Sequence, residues 1–590
     1  MANAFSTLFL GLLLMNKGYL PVFGFSFSSS QGLRWYGASS SSYLTRYPRL
    51  ITSKRRKRSF FFSQDDDQTE QSPATSATTS GRNSKVYPSV SSVASTRNSS
   101  SPAFPSLKKT TVDNRWESFD YEQHWYPTMW EMDLVENKPT KVTLFDVDYV
   151  LAKDSNGKVT ALQDKCPHKA AALSEGRITK SGFIQCAYHG WSFDGSTGDC
   201  VQIPQAGPGV TNFPARTCAQ AVPVRIWQNL IWLWPGAKQN KYPDPPSIPE
   251  MDLPDWKQTQ IVRDFPVDWS LLLSNIMDPD HGMYAHTALA FDFYSASANH
   301  PLTIEESFDN KGWTLKAGVD AVEKLLALDK EKRKTLGYKV KPEKNATATG
   351  KLTATTFFQA PTTVALSRRD ENNNTKFVTA FWVCPVGTGR SRFLSVALSN
   401  GLPFSVPRWA FQISVNRFLD QDTQLVASQQ PPVLSAEAEG VEHPRQSLYA
   451  YSSATDRAVR LIDQFWDSTL SKAPNRKQTL NLLYNSGQLQ HTPPREIVLD
   501  RKTQHLDICP ASQQFVRNIK RLRNACLGIT MVWLFRSLFR RQISKLWLPI
   551  GSTLVAWVAD LLKKQFYYRK TDKSRDKDLA QIPVKAWLDP

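Results

Sequence analysis

Three things are scarce in this sequence: cysteine, long apolar runs, and acidic residues near the two ends. Only seven cysteines occur in 590 residues, and their spacings do not form a disulfide framework. This excludes a small disulfide-stapled secreted protein and fits a reducing compartment. The two apolar runs of the carboxy-terminal tail both fall short of the roughly 20 residues of a simple membrane-spanning helix. The length allows two or three domains with ample core.

The basic charge is concentrated where the acids are missing. Residues 25–110 contain thirteen Lys or Arg and four Asp or Glu. Residues 517–575 contain fourteen Lys or Arg and two Asp or Glu. These two segments carry +9 and +12, and the rest of the chain, at −2, is near neutral within the net charge of +19. A nucleic-acid-binding surface on the folded part is therefore not expected. We predict targeting at the first end and membrane contact at the second; two solvated tails are the alternative.

The amino-terminal region has the composition of a two-part targeting sequence. Residues 1–24 resemble a signal segment, since the apolar stretch Leu8–Met15 has the length of a signal core. Residues 25–112 are rich in Ser, Thr and Arg and poor in acids, as transit peptides are. The Phe-Gly-Phe-Ser sequence at 23–26 resembles the presequences of secondary plastids. We predict a plastid protein; a disordered tail is the alternative.

Two short motifs each supply one thiol and one imidazole. Cys166-Pro-His168 is followed, after seventeen residues, by Cys186-Ala-Tyr-His189-Gly-Trp191. Two Cys on one iron and two His on the other form the ligand set of a Rieske [2Fe–2S] cluster. A structural zinc site is the alternative, but zinc fingers usually pair Cys with Cys and His with His. We therefore predict a Rieske cluster at Cys166, His168, Cys186 and His189.

A second candidate metal site lies about a hundred residues downstream. The segment Asn275-Ile-Met-Asp278-Pro-Asp-His281-Gly-Met-Tyr-Ala-His286 places two histidines five residues apart beside carboxylates. Two His and one carboxylate on one face of a mononuclear Fe(II) leave positions open for O2 and substrate. The third ligand must come from elsewhere in the chain.

A predicted long helix over 407–430 offers that third ligand. At helical spacing Asp422 shares a largely apolar stripe with the residues Phe411, Val415, Phe418, Leu425 and Gln429. Asp420 falls on the polar face, with Asn416, Arg417 and Gln424. A buried carboxylate needs a partner, and a metal ion is one. We predict Asp422 as the ligand, with Asp420 as the alternative.

Strand and turn signals divide the rest of the chain. Strand-like runs between Val142 and Leu162 and at Asn229–Trp234, with a turn at Asp154-Ser-Asn-Gly157, predict an all-β domain over 120–237. A proline-rich linker leads to a catalytic domain over 258–465, with an amphipathic helix over 319–334 and strands at 355–358 and 377–383. A connecting segment over 466–523 and a basic, apolar tail over 524–570 follow.

Together these motifs resemble the Rieske non-haem iron oxygenases, and within them the plastid branch of pheophorbide a oxygenase and the inner-envelope translocon Rieske protein. The resemblance is carried by four segments: Asp164-Lys-Cys166-Pro-His168, Leu173-Ser-Glu-Gly-Arg177, Asn275–His281 and Phe418-Leu-Asp-Gln-Asp422. It implies an α+β fold, in which an all-β Rieske domain is followed by a helix-grip-type catalytic domain and a membrane-associated helical tail. It independently favours Asp422.

The resemblance also implies the chemistry. Reduced ferredoxin would donate electrons, and O2 would oxygenate a chlorophyll-derived tetrapyrrole at the inner envelope or thylakoid. Asn275 and Asp278 belong to the iron-site signature, and Asp278 would bridge a Rieske histidine of a neighbouring subunit to the iron within a homotrimer. An ordinary turn acid before Pro279 is the alternative for Asp278.

Three other functions compete with a tetrapyrrole oxygenase. One is a redox-active Rieske protein of plastid import, and another is an oxygenase of a different hydrophobic substrate. A cytochrome bc-type electron carrier is disfavoured, because Ala171 and Tyr188 stand where such carriers have an extra disulfide pair. The sequence departs from the branch at Cys509-Pro-Ala-Ser512, where a second Cys is often found; a dithiol switch needs two thiols.

Overall fold

The computed structural model describes residues 114–567, except 155, 208, 279–280, 282–284, 286–301, 310–311, 323–351, 371, 373, 401–405, 454 and 541–546. The predicted targeting region and His286 lie outside the described residues. So do positions 323–334 of the predicted amphipathic helix.

The first part of the described chain is all-β, as predicted. Its ten strands are β1 Tyr126–Trp130, β2 Thr140–Leu144, β3 Val147–Lys153, β4 Val159–Gln163, β5 Arg177–Ile178, β6 Ile184–Gln185, β7 Ser192–Phe193, β8 Cys200–Gln202, β9 Val224–Trp227 and β10 Leu230–Leu233. They form three antiparallel sheets in the orders β1-β10-β9, β2-β3-β4 and β5-β6-β7-β8. The turn between β3 and β4 is held by the Asp154 carboxylate, which accepts hydrogen bonds from the backbone of Asn156 and Lys158.

The second part is built on one seven-stranded antiparallel sheet. Its strands are β11 Lys257–Phe265, β12 Thr303–Asp309, β13 Gly312–Val322, β14 Leu352–Gln359, β15 Thr363–Arg369, β16 Thr375–Gly387 and β17 Arg390–Ser399, in the order β11-β17-β16-β15-β14-β13-β12. The expected helix over 319–334 is wrong at its start. Val319 to Val322 continue β13 because their backbone pairs with Ala354 and Leu352 of β14.

The helices follow the sheet, apart from one that precedes most of it. They are α1 Trp269–Met277, α2 Arg408–Ala438, α3 Pro444–Leu448, α4 Asp456–Thr469, α5 Arg476–Asn485, α6 Arg495–Val498, α7 Arg501–Gln504, α8 Pro510–Arg540 and α9 Trp547–Lys564. The predicted long helix is confirmed as α2, which continues past its expected end through Pro431 and Pro432.

One apolar cluster joins the two parts of the chain. Phe145 and Tyr149 of the all-β part pack with Trp269 of α1 and with Phe465 and Trp466 of α4. Each such side chain contributes about 1.5–3 kcal/mol when it is buried. The predicted Rieske and catalytic segments therefore share a core, and α1, which begins the second candidate metal site, is anchored in it.

The two carboxy-terminal helices pack side by side. Thr530 of α8 hydrogen-bonds Ser552 of α9 at 2.7 Å, and Arg523 reaches Asp560 at 3.3 Å, so the helices run antiparallel. Among the helices that the structure describes, none is both long enough and apolar enough to cross a membrane.

Candidate metal centres and substrate pocket

The residues predicted to hold the cluster lie on two loops with the same backbone pattern. In each loop the cysteine N–H donates to the carbonyl five residues later: Cys166 to Ala171, and Cys186 to Trp191, both at 2.8 Å. In each loop the cysteine carbonyl also accepts from the residue four positions on, Ala170 or Gly190. The two motifs therefore fold into equivalent turns that present one thiol and one imidazole each.

The thiols point inward and the imidazoles outward. Cys166 and Cys186 are buried side by side, and burial raises the pKa of the Cys166 thiol to about 11. The rings of His168 and His189 are 4.5 Å apart, and Trp191 stacks on His168 at 4.6 Å. The thiolate is the metal-binding form of cysteine, and a cation beside the buried Cys166 would favour it. The donor set, two thiols and two imidazoles, fits a Rieske cluster.

Helix α1 positions the start of the second site. Its N-cap is Asp268, whose carboxylate accepts from the backbone of Ser270 and Gly389 and pairs with Arg476 at 3.0 Å. These contacts hold the pKa of the buried Asp268 carboxyl below its usual value, although burial alone would raise it. The helix ends at Asp278, whose N–H bonds the Asn275 carbonyl at 3.2 Å. The ordered helix fixes where the following turn begins.

The turn after α1 orients His281. Its Nδ1 lies 2.6 Å from the Asp278 carbonyl, which can only accept, so Nδ1 carries the proton and donates. Nε2 of the neutral ring is then the nitrogen able to bind a metal. A histidine held by a backbone carbonyl through its other nitrogen is the usual arrangement around protein-bound metals. The Asp278 carboxylate also accepts from the His281 backbone N–H at 3.3 Å.

The structure brings Asp422 to this histidine. Asp422 Oδ2 lies 3.9 Å from His281 Nε2, too far for a hydrogen bond but suitable for two donors around one cation. Asp422 is 7% exposed, so the predicted inward orientation is confirmed. Within the described ranges no three His, Cys, Asp or Glu side chains form a group that could hold a metal ion. His286 lies outside those ranges.

Asp420 has a different environment. It is 1% exposed, and its carboxylate pairs with Arg263 at 2.7 Å and with Arg501 at 2.9 Å. The face expected to be merely polar is therefore buried, because β11 and α7 bring two arginines against it. A carboxylate engaged by two guanidinium groups is a poor candidate for a metal ligand, so the geometry favours Asp422 over Asp420.

A large apolar cavity opens on His281 and Asp422. It measures about 1330 Å³, including the mouth that is open to solvent. Its walls come from α1, α2 and the facing side of the sheet. The apolar and aromatic lining includes Ile261, Phe265, Val267, Leu272, Ile276, Leu366, Phe377, Phe381, Phe393, Phe411, Val415, Phe418, Leu419 and Val426. Asn275 and Asp278 also line it, so four predicted site residues face one space.

Sequence reasoning missed several residues here. Arg263 and Arg501, which clamp Asp420, gave no local signal because their partner is more than 80 residues away. Arg368 lines the cavity as well. The pattern Val364, Leu366, Arg368 has the period of a strand, and that period alone would have placed this arginine on the inward face.

The segment Cys509-Pro-Ala-Ser512, which departs from the plastid branch, begins and ends with buried residues. Cys509 is buried in an apolar cluster, and none of the seven cysteines, all of which the structure describes, forms a disulfide. Buried His505 donates from Nδ1 to the Val262 carbonyl at 2.8 Å, so its Nε2 accepts from the Ser512 hydroxyl at 2.9 Å. Burial lowers the pKa of His505 to about 3, which keeps this tautomer neutral. Ser512 thus has a structural partner of its own.

Comparison with known proteins agrees with this architecture. A Rieske [2Fe-2S] domain model matches residues 124–219, and a pheophorbide a oxygenase model matches residues 358–439. The chain is 30% identical over 431 residues to the protochlorophyllide-dependent translocon component 52 of Arabidopsis thaliana chloroplasts, covering 68% of this chain and 74% of that protein. The chain belongs to the chloroplast Rieske non-haem iron oxygenases.

Other members of this oxygenase family differ in their named roles. The pheophorbide a oxygenase of Arabidopsis thaliana is 27% identical over 439 residues, covering 70% of this chain and 76% of that protein. Flavonoid 8-hydroxylase 2 of Ocimum basilicum is 26% identical over 502 residues, covering 78% of this chain and 88% of that protein. Among solved structures, dicamba monooxygenase bound to dicamba is 20% identical to this chain. The match covers 62% of this chain and 99% of the dicamba monooxygenase chain, with a TM-score of 0.45.

Membership settles the reaction class and the cofactors. The oxygenase carries a Rieske [2Fe–2S] cluster and a mononuclear non-haem iron, takes electrons from an external donor and uses O2. The translocon component and the pheophorbide a oxygenase, which match about 70% of this chain, are both chloroplastic, which assigns it to a plastid. The predicted family and cofactors are thus confirmed, and the zinc and bc-type alternatives fall away.

Proposed function

We propose that this oxygenase takes electrons from reduced ferredoxin and oxygenates a chlorophyll-derived tetrapyrrole, as a pheophorbide a oxygenase does. The observation that carries the proposal is the apolar, aromatic-lined cavity with His281 and Asp422 in its wall. Ligand pockets are usually lined by apolar and aromatic side chains with a few polar groups that fix the ligand's orientation, so this cavity suits an apolar molecule. The relatives named for pheophorbide a and protochlorophyllide support the same substrate class.

Each predicted site residue has a role in this proposal. Cys166, His168, Cys186 and His189 would hold the cluster, and His281, His286 and Asp422 would hold the mononuclear iron. When bound, the two groups supply electron transfer and O2 activation. The Asp278 carbonyl fixes the tautomer and direction of His281. The phenylalanines of the cavity exclude water and orient the macrocycle, and Asn275 offers a polar contact beside it.

Asp278 would also link subunits. In the proposed homotrimer its carboxylate, which belongs to a residue lining one subunit's cavity, would accept from a Rieske histidine of the next subunit. His168 is exposed and His189 half-buried, so both rings are accessible to a neighbour. Asp278, with its carbonyl on the His281 ring and its carboxylate on the neighbour's histidine, would hold the two centres at a fixed separation.

Replacing Cys186 with serine should abolish the cluster. The variant loses one of two buried thiols that face each other, and serine does not supply a thiolate. The 2Fe–2S absorption and the reduced-state EPR signal of the purified full-length protein should disappear. Cys218→Ser is the matched control, since Cys218 is a half-buried thiol of the same all-β part. A cluster that survives in the Cys186 variant contradicts this ligand.

The substrate proposal is tested by offering pigments to the iron-loaded enzyme with reduced ferredoxin. Pheophorbide a, chlorophyllide a and protochlorophyllide are added in turn while O2 consumption and the pigment spectrum are followed. Loss of one macrocycle's absorption coupled to O2 uptake supports the proposal and names the substrate. No uptake with any pigment, with both iron sites occupied, would sink it.

A role in plastid protein import is a second candidate function. The observation that favours it is the similarity to a translocon component, at 30% identity. It predicts association with import partners without pigment-dependent O2 uptake, so the same experiment separates the two.

The helical pair α8–α9 is proposed to attach the oxygenase to a plastid membrane. Large apolar side chains are exposed near the end of the pair where the two helices are joined: Leu527, Ile529, Met531, Val532, Phe535, Phe539, Ile550, Leu554 and Trp557. Basic residues flank them, including Arg536, Lys563 and Lys564. Soluble surfaces rarely expose so continuous an apolar patch, and basic flanks favour anionic lipids.

Replacing Phe535 and Phe539 together with aspartate should prevent this attachment. Both rings are largely exposed, so the fold should survive while the apolar contact is lost. Co-flotation with anionic liposomes measures it. Leu482→Asp, at an exposed leucine of α5, is the control and should still float. Equal flotation of both variants contradicts this membrane contact.

A further inference from the structure

Two hydroxyl groups lie in the sheet wall of the cavity. Thr379 of β16 and Ser395 of β17 line the same space as His281 and Asp422. Ser395 is 1% exposed, and within the part of the chain that the structure describes neither hydroxyl has a hydrogen-bond partner. A buried hydroxyl without a hydrogen bond is destabilising. A ligand in the cavity that accepts hydrogen bonds would therefore be stabilised at these two positions.

The strand pattern places the hydroxyls in the cavity wall. Side chains alternate along a strand, so Thr379 shares one face of β16 with Phe377 and Phe381, which line the cavity too. The intervening residues Val378 and Ala380 pack on the other face of the sheet, in a separate apolar cluster. The hydroxyls are therefore not part of the core behind the sheet.

The pairing of β16 with β17 brings the two hydroxyls close together. Phe381 is the direct partner of Ser395, and Thr379 is the partner of Ala397. Thr379 and Ser395 are thus diagonal neighbours on one face of the sheet. Such neighbours have Cα atoms about 7–8 Å apart, so both hydroxyls can reach the same edge of one ligand.

The proposed iron ligands come from other walls of the cavity. His281 follows α1 and Asp422 belongs to α2, whereas both hydroxyls belong to the sheet. The phenylalanine rings can fix the plane of a flat ligand, but hydrophobic contact has no preferred direction within that plane. A few placed polar groups fix the orientation of a ligand in an apolar pocket. Hydrogen bonds from the sheet would therefore decide which edge of the ligand faces the iron site.

We infer that Thr379 and Ser395 donate hydrogen bonds to a carbonyl oxygen of the substrate and thereby orient its ring system toward the iron. The inference rests on the proposed tetrapyrrole function and deepens it. Chlorophyll-derived pigments carry a ketone on the all-carbon ring fused to the macrocycle, and this oxygen accepts hydrogen bonds. An analogue with a methylene group there would displace water from both hydroxyls without replacing its hydrogen bonds, which weakens binding.

A packing role for the two side chains is the competing explanation. Small residues at these positions leave room for a macrocycle between the flanking phenylalanines. If they acted only in this way, removing the hydroxyls would change the affinity for all pigments alike. The difference in affinity between a ketone ligand and its methylene analogue is therefore the quantity to measure.

The test compares pheophorbide a with its analogue in which the ring ketone is reduced to methylene. Binding to the full-length protein with both iron sites loaded is followed by pigment fluorescence, without a reductant, so that no turnover occurs. The wild type should bind the ketone about tenfold or more tightly, as expected when hydrogen bonds to buried hydroxyls are lost. The double variant Thr379→Val, Ser395→Ala keeps side chains of similar size. It should bind the two ligands within about twofold of each other, since neither ligand gains a hydrogen bond there.

Vibrational spectroscopy of the bound pigment measures the same contact directly. The C=O stretching band of the ketone should lie at lower frequency in the wild type than in the double variant, because a hydrogen bond weakens the carbonyl bond. Ser367→Ala is the matched control. Ser367 lies between two cavity-lining residues of β15, Leu366 and Arg368, so its side chain is on the opposite face of the sheet. This variant should keep the wild-type ratio of affinities and the wild-type band.

Three outcomes overturn the inference, and they are distinct. Equal binding of the two ligands by the wild type overturns it and leaves the tetrapyrrole proposal standing. An equal change in affinity for both ligands in the double variant, with an unshifted carbonyl band, assigns the two side chains a packing role. Failure of the wild type to bind either pigment overturns the tetrapyrrole proposal and this inference with it.

Discussion

Replacing Asp422 with alanine is expected to remove the mononuclear iron and to leave the [2Fe–2S] cluster in place. The side chain lies 3.9 Å from His281 Nε2, and the variant takes away the anionic member of this pair. Iron content should fall from about three to about two atoms per chain. The reduced-cluster EPR signal should keep its wild-type intensity, and substrate-dependent O2 uptake should cease.

Asp422→Asn is the milder companion to this variant. It keeps the size and one oxygen but loses the charge, so iron should bind weakly and leave on dialysis. Unchanged iron content in both variants would contradict the assignment of Asp422. Loss of the cluster signal along with the iron would show that the substitution damages the whole protein.

Replacing Asp420, two residues earlier, should instead destabilise the fold. Its carboxylate lies between Arg263, which is 0% exposed, and Arg501, and alanine would leave two buried cations without this counter-charge. Breaking one buried ion pair costs about 3–5 kcal/mol. Asp420→Ala should therefore melt well below the wild type when unfolding is followed by circular dichroism.

The two aspartates serve as each other's controls. Asp422→Ala should have nearly the melting temperature of the wild type when both proteins are compared without the mononuclear iron. Asp420→Asn retains an acceptor for one arginine. Its melting temperature should therefore lie between those of the wild type and Asp420→Ala. The assignment of the two acids would be reversed if Asp420→Ala lost iron at unchanged stability and Asp422→Ala lost stability.

This contrast shows what the sequence could and could not predict. Helical periodicity placed Asp422 on the inward face of α2, and motif spacing placed His281 near a metal; the structure brings the two together. Helical periodicity also placed Asp420 on the polar face of α2. It could not show that β11 and α7 cover that face, because burial there depends on residues more than 80 positions away.

The cavity shows a second limit of prediction from the sequence. Its lining combines α1, α2 and the sheet, and their packing is not a local property of any segment. The alternation of β15 did carry a signal, since an arginine follows two apolar residues on one face of a strand. By contrast, the extension of β13 to Val322 ran against an apparent helical pattern because backbone pairing with β14 decided it.

The central claim is that the chain is an oxygenase whose cavity holds a pigment beside a mononuclear iron. The most direct test is a reaction under 18O2 with the iron-loaded full-length protein, reduced ferredoxin and pheophorbide a, followed by mass spectrometry of the pigment product. We expect a product that carries oxygen from 18O2 with the wild type, and no labelled product from Asp422→Ala. Unlabelled, unchanged pigment from a wild-type protein with both iron sites occupied would contradict it.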